Sequence, residues 1–340
     1  MEKRILVLFV LIIGLLSCET AKKKEVSTDD LVKTEYRLET AKTYAELSVA
    51  QGGTWQDGSR GHLEYAEGTS FQNVESLKVP EEHTDHTWFI RYEGPGWESN
   101  KIGYRVYLDW RNAIDIFGKK TDAMVLPQVG QDGFDSYHEM ADWGLDILKA
   151  GKGLGIGSIG RFNNGEVLHF NEVDSTFAKV ENTVDNSSVR IEYNGWKTAE
   201  DTIDLKQELS IKPNVRYTKH SITPSAAIEG ICTGIVKHGV NYFNKQGDDA
   251  SWGYIATYGK QTLVEEPDNL GMAVFYKVSS ISEVTEWDHD HLVVFKPTTE
   301  TVTFYFLGAW EQEKDGIKTE TEFLDYLDKL LKELNQNDKL

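Results

Sequence analysis

Apolar and polar residues alternate with a period of two along much of this chain. In DTIDLKQELSI, Ile203, Leu205, Leu209 and Ile211 share one face, against Asp204, Lys206, Glu208 and Ser210. Val189, Ile191 and Tyr193 oppose Arg190 and Glu192 in SSVRIEYNGW, and Val302, Phe304 and Phe306 oppose Thr303 and Tyr305 in ETVTFYFLG. Successive side chains of a strand point to opposite faces, so the pattern predicts strands with one buried face. VRYTKHSITPS, WGYIATYG, MAVFYKVSS and HLVVFK extend it, punctuated by Asn-Gly, Asp-Asn and Pro-Asn turns.

The period changes near the C-terminus. Phe323, Leu327, Leu330, Leu331 and Leu334 fall on one stripe at helical spacing, and Thr319 followed by Glu322 fits a capping box. A helix is expected there, covering one end of a sheet. Residues 34–336 show no fixed repeat, no Pro-rich linker and no second boundary. They are expected to form one domain: an all-β, large antiparallel β-sandwich with added loops and a C-terminal helix. The meander from Glu166 to Val278 resembles the very large sandwich shared by sugar mutarotases and several polysaccharide lyases, a likeness of fold that does not fix activity.

Residues 1–17 read as a processing signal. Lys3 and Arg4 begin it, and the apolar run from Ile5 to Leu16 is too short to span a bilayer as a stable helix. Leu15-Leu16-Ser17-Cys18 forms a lipobox, which predicts cleavage before Cys18 and lipidation of that residue. An ordinary secretory signal containing a cysteine is the alternative. The polar residues 18–33 then form a disordered tether, and the mature protein is expected in the periplasm or at the outer membrane, held by its lipid alone. With Cys18 acylated, Cys232 has no disulfide partner; within GICTGIV it reads as a small buried hydrophobe. The formal net charge is −19, and loss of Lys3, Arg4 and Glu2 with the signal (a net +1) leaves −20. A body this acidic repels nucleic acid and anionic lipid, although a local arginine cluster still suits a small anion in a cleft.

From Asp85 to Gly160 the rhythm breaks. Arginines, aromatics, carboxylates, glycines and His138 interleave there with neither period, as expected of a segment that holds a polar ligand. Arg91, Arg105 and Arg111 lie within it, and Arg161 and Arg216 follow. A guanidinium fork matches carboxylate or sulfate; the alternative for each arginine is a salt bridge to a nearby acid, with Asp109 between Arg105 and Arg111, and Glu93 close to Arg91. His138, in FDSYHEMADWG, is the leading candidate for proton transfer. His238 and His220 follow it, while His62, His83, His86 and His169 carry fewer chemical neighbours. His289 and His291 in EWDHDHLVVF have spacing for a metal but no assignable third ligand, and a solvated acidic turn is the simpler reading. Tyr137 and Tyr217 are candidate acids or bases if cations lower their pKa. Trp97 and Trp110 are candidate sugar platforms, against a default of core packing. Neither a Walker loop, a Gly-x-Ser-x-Gly elbow nor a zinc signature occurs, and Gly153-x-Gly155 lacks the context of a nucleotide fold.

WESNKIGYRVYLDWRNAIDIFGKK, VGQDGFDSYHEMADWGLDILKAGKGLGIGSIG and GICTGIVKHG resemble a family of bacterial lipoproteins and periplasmic proteins from polysaccharide-utilisation clusters, long catalogued as a domain of unknown function. One branch is an ulvan-oligosaccharide dehydratase. The resemblance implies loss of the C5 proton and the C4 hydroxyl from a non-reducing-end uronic acid, leaving a 4,5-unsaturated uronyl end for an unsaturated-glucuronyl hydrolase. The partner implied is a uronate-terminated, sulfated oligosaccharide; the cofactor is unknown, and the chemistry itself calls for none. Such chemistry needs a base at C5, an acid at O4 and a cation on the carboxylate. From side-chain chemistry, His138 is expected as base or acid, with Tyr137, Tyr217 or His238 in the complementary role. Arg105 and Arg216 are expected on the carboxylate, Arg91 or Arg111 on sulfate or carboxylate, and Trp97 and Trp110 against the sugar. A polysaccharide lyase and a non-catalytic glycan-binding lipoprotein are the rival readings.

Overall fold

Nine antiparallel strands form the longest sheet, in the spatial order Asn241–Gln246, Trp252–Lys260, Asn269–Lys277, Val302–Trp310, Tyr217–Pro224, Asp201–Ile211, Ser187–Thr198, Ser175–Asn182 and Ser76–Lys78. This computed structural model describes residues 40–132, 136–246 and 251–340; the signal peptide, the tether and Cys18 lie outside them. The fold is all-β with a single C-terminal helix among the described residues, as the alternating pattern predicts. Ile203, Leu205, Leu209 and Ile211 are all buried, as are Val189, Ile191, Tyr193, Phe304 and Phe306. They belong to one large core beneath the sheet.

Two five-stranded antiparallel sheets lie on that inner face. One runs Glu166–Leu168, Ile156–Asn163, Ile231–Val236, Asp290–Phe295 and Ile281–Glu286. The other runs Thr43–Glu46, Gly96–Ser99, Ile102–Val106, Ile114–Lys119 and Gly144–Asp146, and is called the site sheet below. Side chains of all three sheets share the core, which makes the domain a sandwich. Within it His220 is buried, with its ring nitrogens 3.0 Å from the Gly157 carbonyl and 2.9 Å from Gln207 Oε1.

The helix Glu320–Asn337 covers the opposite face of the long sheet. Its stripe of Phe323, Leu327, Leu330, Leu331 and Leu334 packs on Tyr254, Tyr258, Phe275 and Leu307. Thr319 and Glu322 form the expected reciprocal cap, each accepting the other's backbone N–H at 3.2 and 3.0 Å. Gly271 permits the close approach, because a Cβ there would lie 2.5 Å from the Phe323 ring. Each buried residue of the stripe contributes on the order of 1.5–3 kcal/mol.

The site sheet is the element that positions the chemistry. Its three central strands, Gly96–Ser99, Ile102–Val106 and Ile114–Lys119, are buried on both faces. Trp97 pairs across the ladder with Tyr104, and both rings point into the core, stacked at 5.6 Å. The alternate residues point to the other face. Arg105 stands opposite Asp115, and Asp146 stands opposite Phe117, two residues beyond Asp115. Register therefore brings one arginine and two aspartates from three strands to a single face.

Candidate functional site

Arg105 is the centre of that face and is almost wholly buried, at 2% exposure. Its guanidinium donates to Asp146 Oδ2 at 2.7 Å, Asp115 Oδ2 at 2.9 Å, the hydroxyls of Tyr137 at 2.9 Å and Tyr107 at 3.0 Å, and the Tyr92 carbonyl at 3.2 Å. Tyr107, just past the end of the strand Ile102–Val106, donates its hydroxyl to Asp115. Burial, reinforced by the charge of Asp146, pushes the Asp115 carboxyl up to about 6 against the pull of Arg105. Burial also raises the phenols of Tyr107 and Tyr137. His138, carried on the turn Ser136–His138, reaches solvent with 37% of its side chain and places Nε2 3.5 Å from Asp146 Oδ2.

A second cluster adjoins the first. The turn at Asp109–Asn112 closes when Asp109 Oδ1 accepts the Arg111 amide at 2.9 Å, and the same carboxylate grips the Arg111 side chain through Nε and Nη2. Arg111 Nη2 also donates to Glu93 at 2.6 Å, and its guanidinium lies 3.9 Å from the centre of the Tyr107 ring. Glu93 Oε2 lies 3.6 Å from Arg105, which joins the two clusters. Burial alone would raise the Glu93 carboxyl, but Arg111, Arg105 and the His86 amide outweigh it and hold it below its usual value. His86 Nδ1 sits 3.3 Å from Asp85 and 3.7 Å from Glu93, with 32% of the side chain exposed. The Arg111 Nη1 nitrogen makes no hydrogen bond among the described residues and is the open edge of this guanidinium.

Backbone strain concentrates here. His86, Trp88, Tyr92, Glu93 and Asn112 all have φ between 42° and 68°. Non-glycine residues occupy that region at a cost of about 1–3 kcal/mol each, and persist there when the surroundings impose it. At His86 and Glu93 the surroundings are the Glu93–Arg111 and Glu93–His86 contacts. Trp88 lines a cavity of about 310 Å³ with Tyr65, Gln131 and Asp132. Asp132 accepts from the Ser136 hydroxyl at 2.6 Å, at the start of the turn that carries His138.

Of the residues singled out from the sequence, the fold brings together Arg105, Arg111, Tyr137 and His138. Arg91 lies in an adjoining buried network, bound to Glu46 and to Ser48 at 3.0 Å, with Tyr92 donating to the same Glu46 at 2.8 Å. The expected ion partners need correcting. Glu93 serves Arg111 and Arg105, not Arg91, and Asp109 serves Arg111 alone. Trp97 offers no face to a sugar, since it is fully buried and donates to the Thr218 hydroxyl at 2.8 Å. Trp110 is 37% exposed and lines a cavity whose wall includes Asp109 but neither His86 nor His138. Arg216 pairs with Glu313 at 2.6 Å, and Tyr217 packs against Tyr305 beside the C-terminal helix. His238 lines a third cavity with Tyr242 and His291. None of Arg216, Tyr217 and His238 touches the Arg105 cluster. Asp290 is fully buried, which corrects the reading of Asp288–His291 as a solvated turn. Cys232 is buried and free, and burial raises its thiol.

Asp115 and Asp146 were missed from sequence, while Tyr107, Glu93 and His86 were seen there without their place in this cluster. Tyr107 and Asp115 were legible in principle, because Arg105, Tyr107 and Asp115 stand where a hairpin would bring them to one face. Asp146 arrives through a strand pairing distant in sequence, and no local signal marks it.

The profile of a family described as a domain of unknown function (DUF4861) matches residues 11–339. The chain belongs to the DUF4861 family. No curated protein matches it. Among solved structures, a TPR-domain containing protein from Parabacteroides distasonis is similar over 78% of this DUF4861 chain and 54% of its own, at 9% identity and a TM-score of 0.31. The chain thus spans about half the length of that protein, at a similarity too low to establish a common fold.

Proposed function

We propose that this DUF4861 protein is a carbohydrate-active dehydratase, removing water from the non-reducing-end uronic acid of ulvan-type oligosaccharides. The observation that carries the reading is a pair of partly exposed imidazoles, His138 and His86, each beside a carboxylate and joined through Asp146, Arg105 and Glu93. An elimination needs one group to accept the C5 proton and another to donate to the departing O4, and the two histidines supply both roles. One imidazole takes the proton from C5, the C4=C5 double bond forms, the C4–O bond breaks, and the other imidazole gives the proton that completes water. Arg111 Nη1 binds the substrate carboxylate and stabilises the enolate-like charge at C5. Trp88 and the cavity beside it receive the sugar ring.

Arg105 has a different role from the one its charge suggests. Four carboxyls, from Glu93, Asp109, Asp115 and Asp146, surround two guanidiniums. Arg105 is buried among them and orders Tyr107, Tyr137 and Asp146 without reaching substrate. The phenol of Tyr137 is held neutral by burial and positions rather than transfers. The resemblance of the Trp97–Lys120 and Val129–Gly160 phrases to the family that includes the dehydratase branch supports the choice of substrate, and lipidation at Cys18 would present the site outside the cytoplasm. Among the described residues no helix is long and apolar enough to cross a membrane.

The test is incubation with uronate-terminated oligosaccharides. Absorbance of an unsaturated uronyl group and loss of the mass of one water, with chain length unchanged, is the expected result. A product of lower polymerisation would replace the dehydratase by a lyase. Tight binding with no chemical change in any uronate-terminated substrate would replace it by a glycan-binding protein.

A further inference from the structure

A cavity of about 730 Å³ opens beside Trp110 and Asp109, with neither His86 nor His138 in its wall. Leu108, Phe170 and Tyr193 give it an apolar floor. Trp110 stands at its edge, 37% exposed, in edge contact with His169 at 5.7 Å. His83 is in the wall: Nδ1 bonds the Thr87 hydroxyl at 2.7 Å, while Nε2 is buried without a hydrogen-bond partner.

The charges of the wall select the ligand. Lys78 and Lys197 face Glu81, Asp109, Glu172 and Asp174. Lys197 is already tied to Glu172 at 3.2 Å, and Asp109 to Arg111. What remains is one lysine against Glu81 and Asp174. Sulfate or carboxylate would meet surplus negative charge there, whereas hydroxyl groups would find carboxylate acceptors and an aromatic face. That combination is the chemistry of an uncharged sugar ring, and the volume lies within the range of small-molecule sites.

We infer that this cavity is a second glycan site, specific for an uncharged pyranose stacked on Trp110 and hydrogen-bonded to Asp174 and Asn171. It stands independently of the proposed elimination. It would hold a neutral residue of a polysaccharide while the His86–His138 centre handles an acidic one.

Saturation-transfer NMR with the whole protein tests it, using methyl pyranosides of rhamnose, xylose and glucose beside rhamnose sulfate and methyl glucuronide. At least one uncharged glycoside is expected to bind. Trp110→Ala should weaken it by about tenfold or more, as expected when a stacking face is lost. His138→Asn should leave it unchanged. Asn171→Ala, at an exposed position, repeats the test should the tryptophan variant fail to fold. Binding by no uncharged glycoside overturns the inference. So does tighter binding of the anionic probes that Trp110→Ala abolishes, or undiminished binding of the uncharged glycosides by folded Trp110→Ala and Asn171→Ala.

Discussion

Asp146 Oδ2 is shared: Arg105 Nη2 lies 2.7 Å away and His138 Nε2 lies 3.5 Å away. One carboxylate oxygen thus couples a buried cation to the imidazole that meets solvent. The buried pair fixes the carboxylate, and the carboxylate in turn orients the ring. Asp146→Asn keeps the shape and removes the charge. Turnover on uronate-terminated oligosaccharides should fall by about 10²–10⁴, the contribution of a positioned acid or base. Substrate affinity, measured by calorimetry, should change little.

Arg105 should tolerate no substitution. Its planar fork serves five groups, and a lysine ammonium cannot span them. Arg105→Lys leaves part of a buried carboxylate cluster unpaired, which costs on the order of 3–5 kcal/mol. Urea denaturation should show a lower midpoint, and the loss should persist in high salt because the pairs are shielded from solvent.

The sheets were readable from sequence where a long strand buries one face, as Asp201–Ile211 does, so Ile203, Leu205, Leu209 and Ile211 advertise their register. The helix was readable for the same reason at a different period. The site was readable only in part. Arg105, Arg111, Tyr137 and His138 stand out by chemistry, but their partners are decided by tertiary pairing. Asp146 reaches Arg105 because the strand Gly144–Asp146 pairs with Ile114–Lys119. Glu93 and His86 arrive through left-handed backbone, which has no hydrophobic period. Trp97 misled for a related reason: in a strand buried on both faces, nothing in the local pattern tells a core tryptophan from an exposed one.

Two tryptophans should therefore separate stability from recognition. Trp97→Ala removes a fully buried ring and should cost about 3–5 kcal/mol in denaturant unfolding. The molecules that remain folded should turn over normally. Trp88→Ala touches a partly exposed ring beside the 310 Å³ cavity. It should raise KM for the oligosaccharide several-fold with kcat and the melting temperature little changed.

Asp290 predicts how stability responds to pH. The carboxyl is fully buried; Oδ1 accepts the Leu154 amide at 2.9 Å, and Oδ2 has no partner. Burial pushes its pKa up to about 7, against the weaker opposing pulls of the Leu154 amide and Lys237. Between the ordinary carboxylate value and about 7, the folded protein keeps a proton that the unfolded chain has released. Unfolding then releases that proton, so this residue lowers stability as pH rises through the window and holds it constant above. Asp290→Asn retains the oxygen facing Leu154 and cannot ionise. The melting temperature of the variant relative to wild type should climb from pH 5 to pH 8. A difference that stays flat across that range would show that Asp290 is charged throughout.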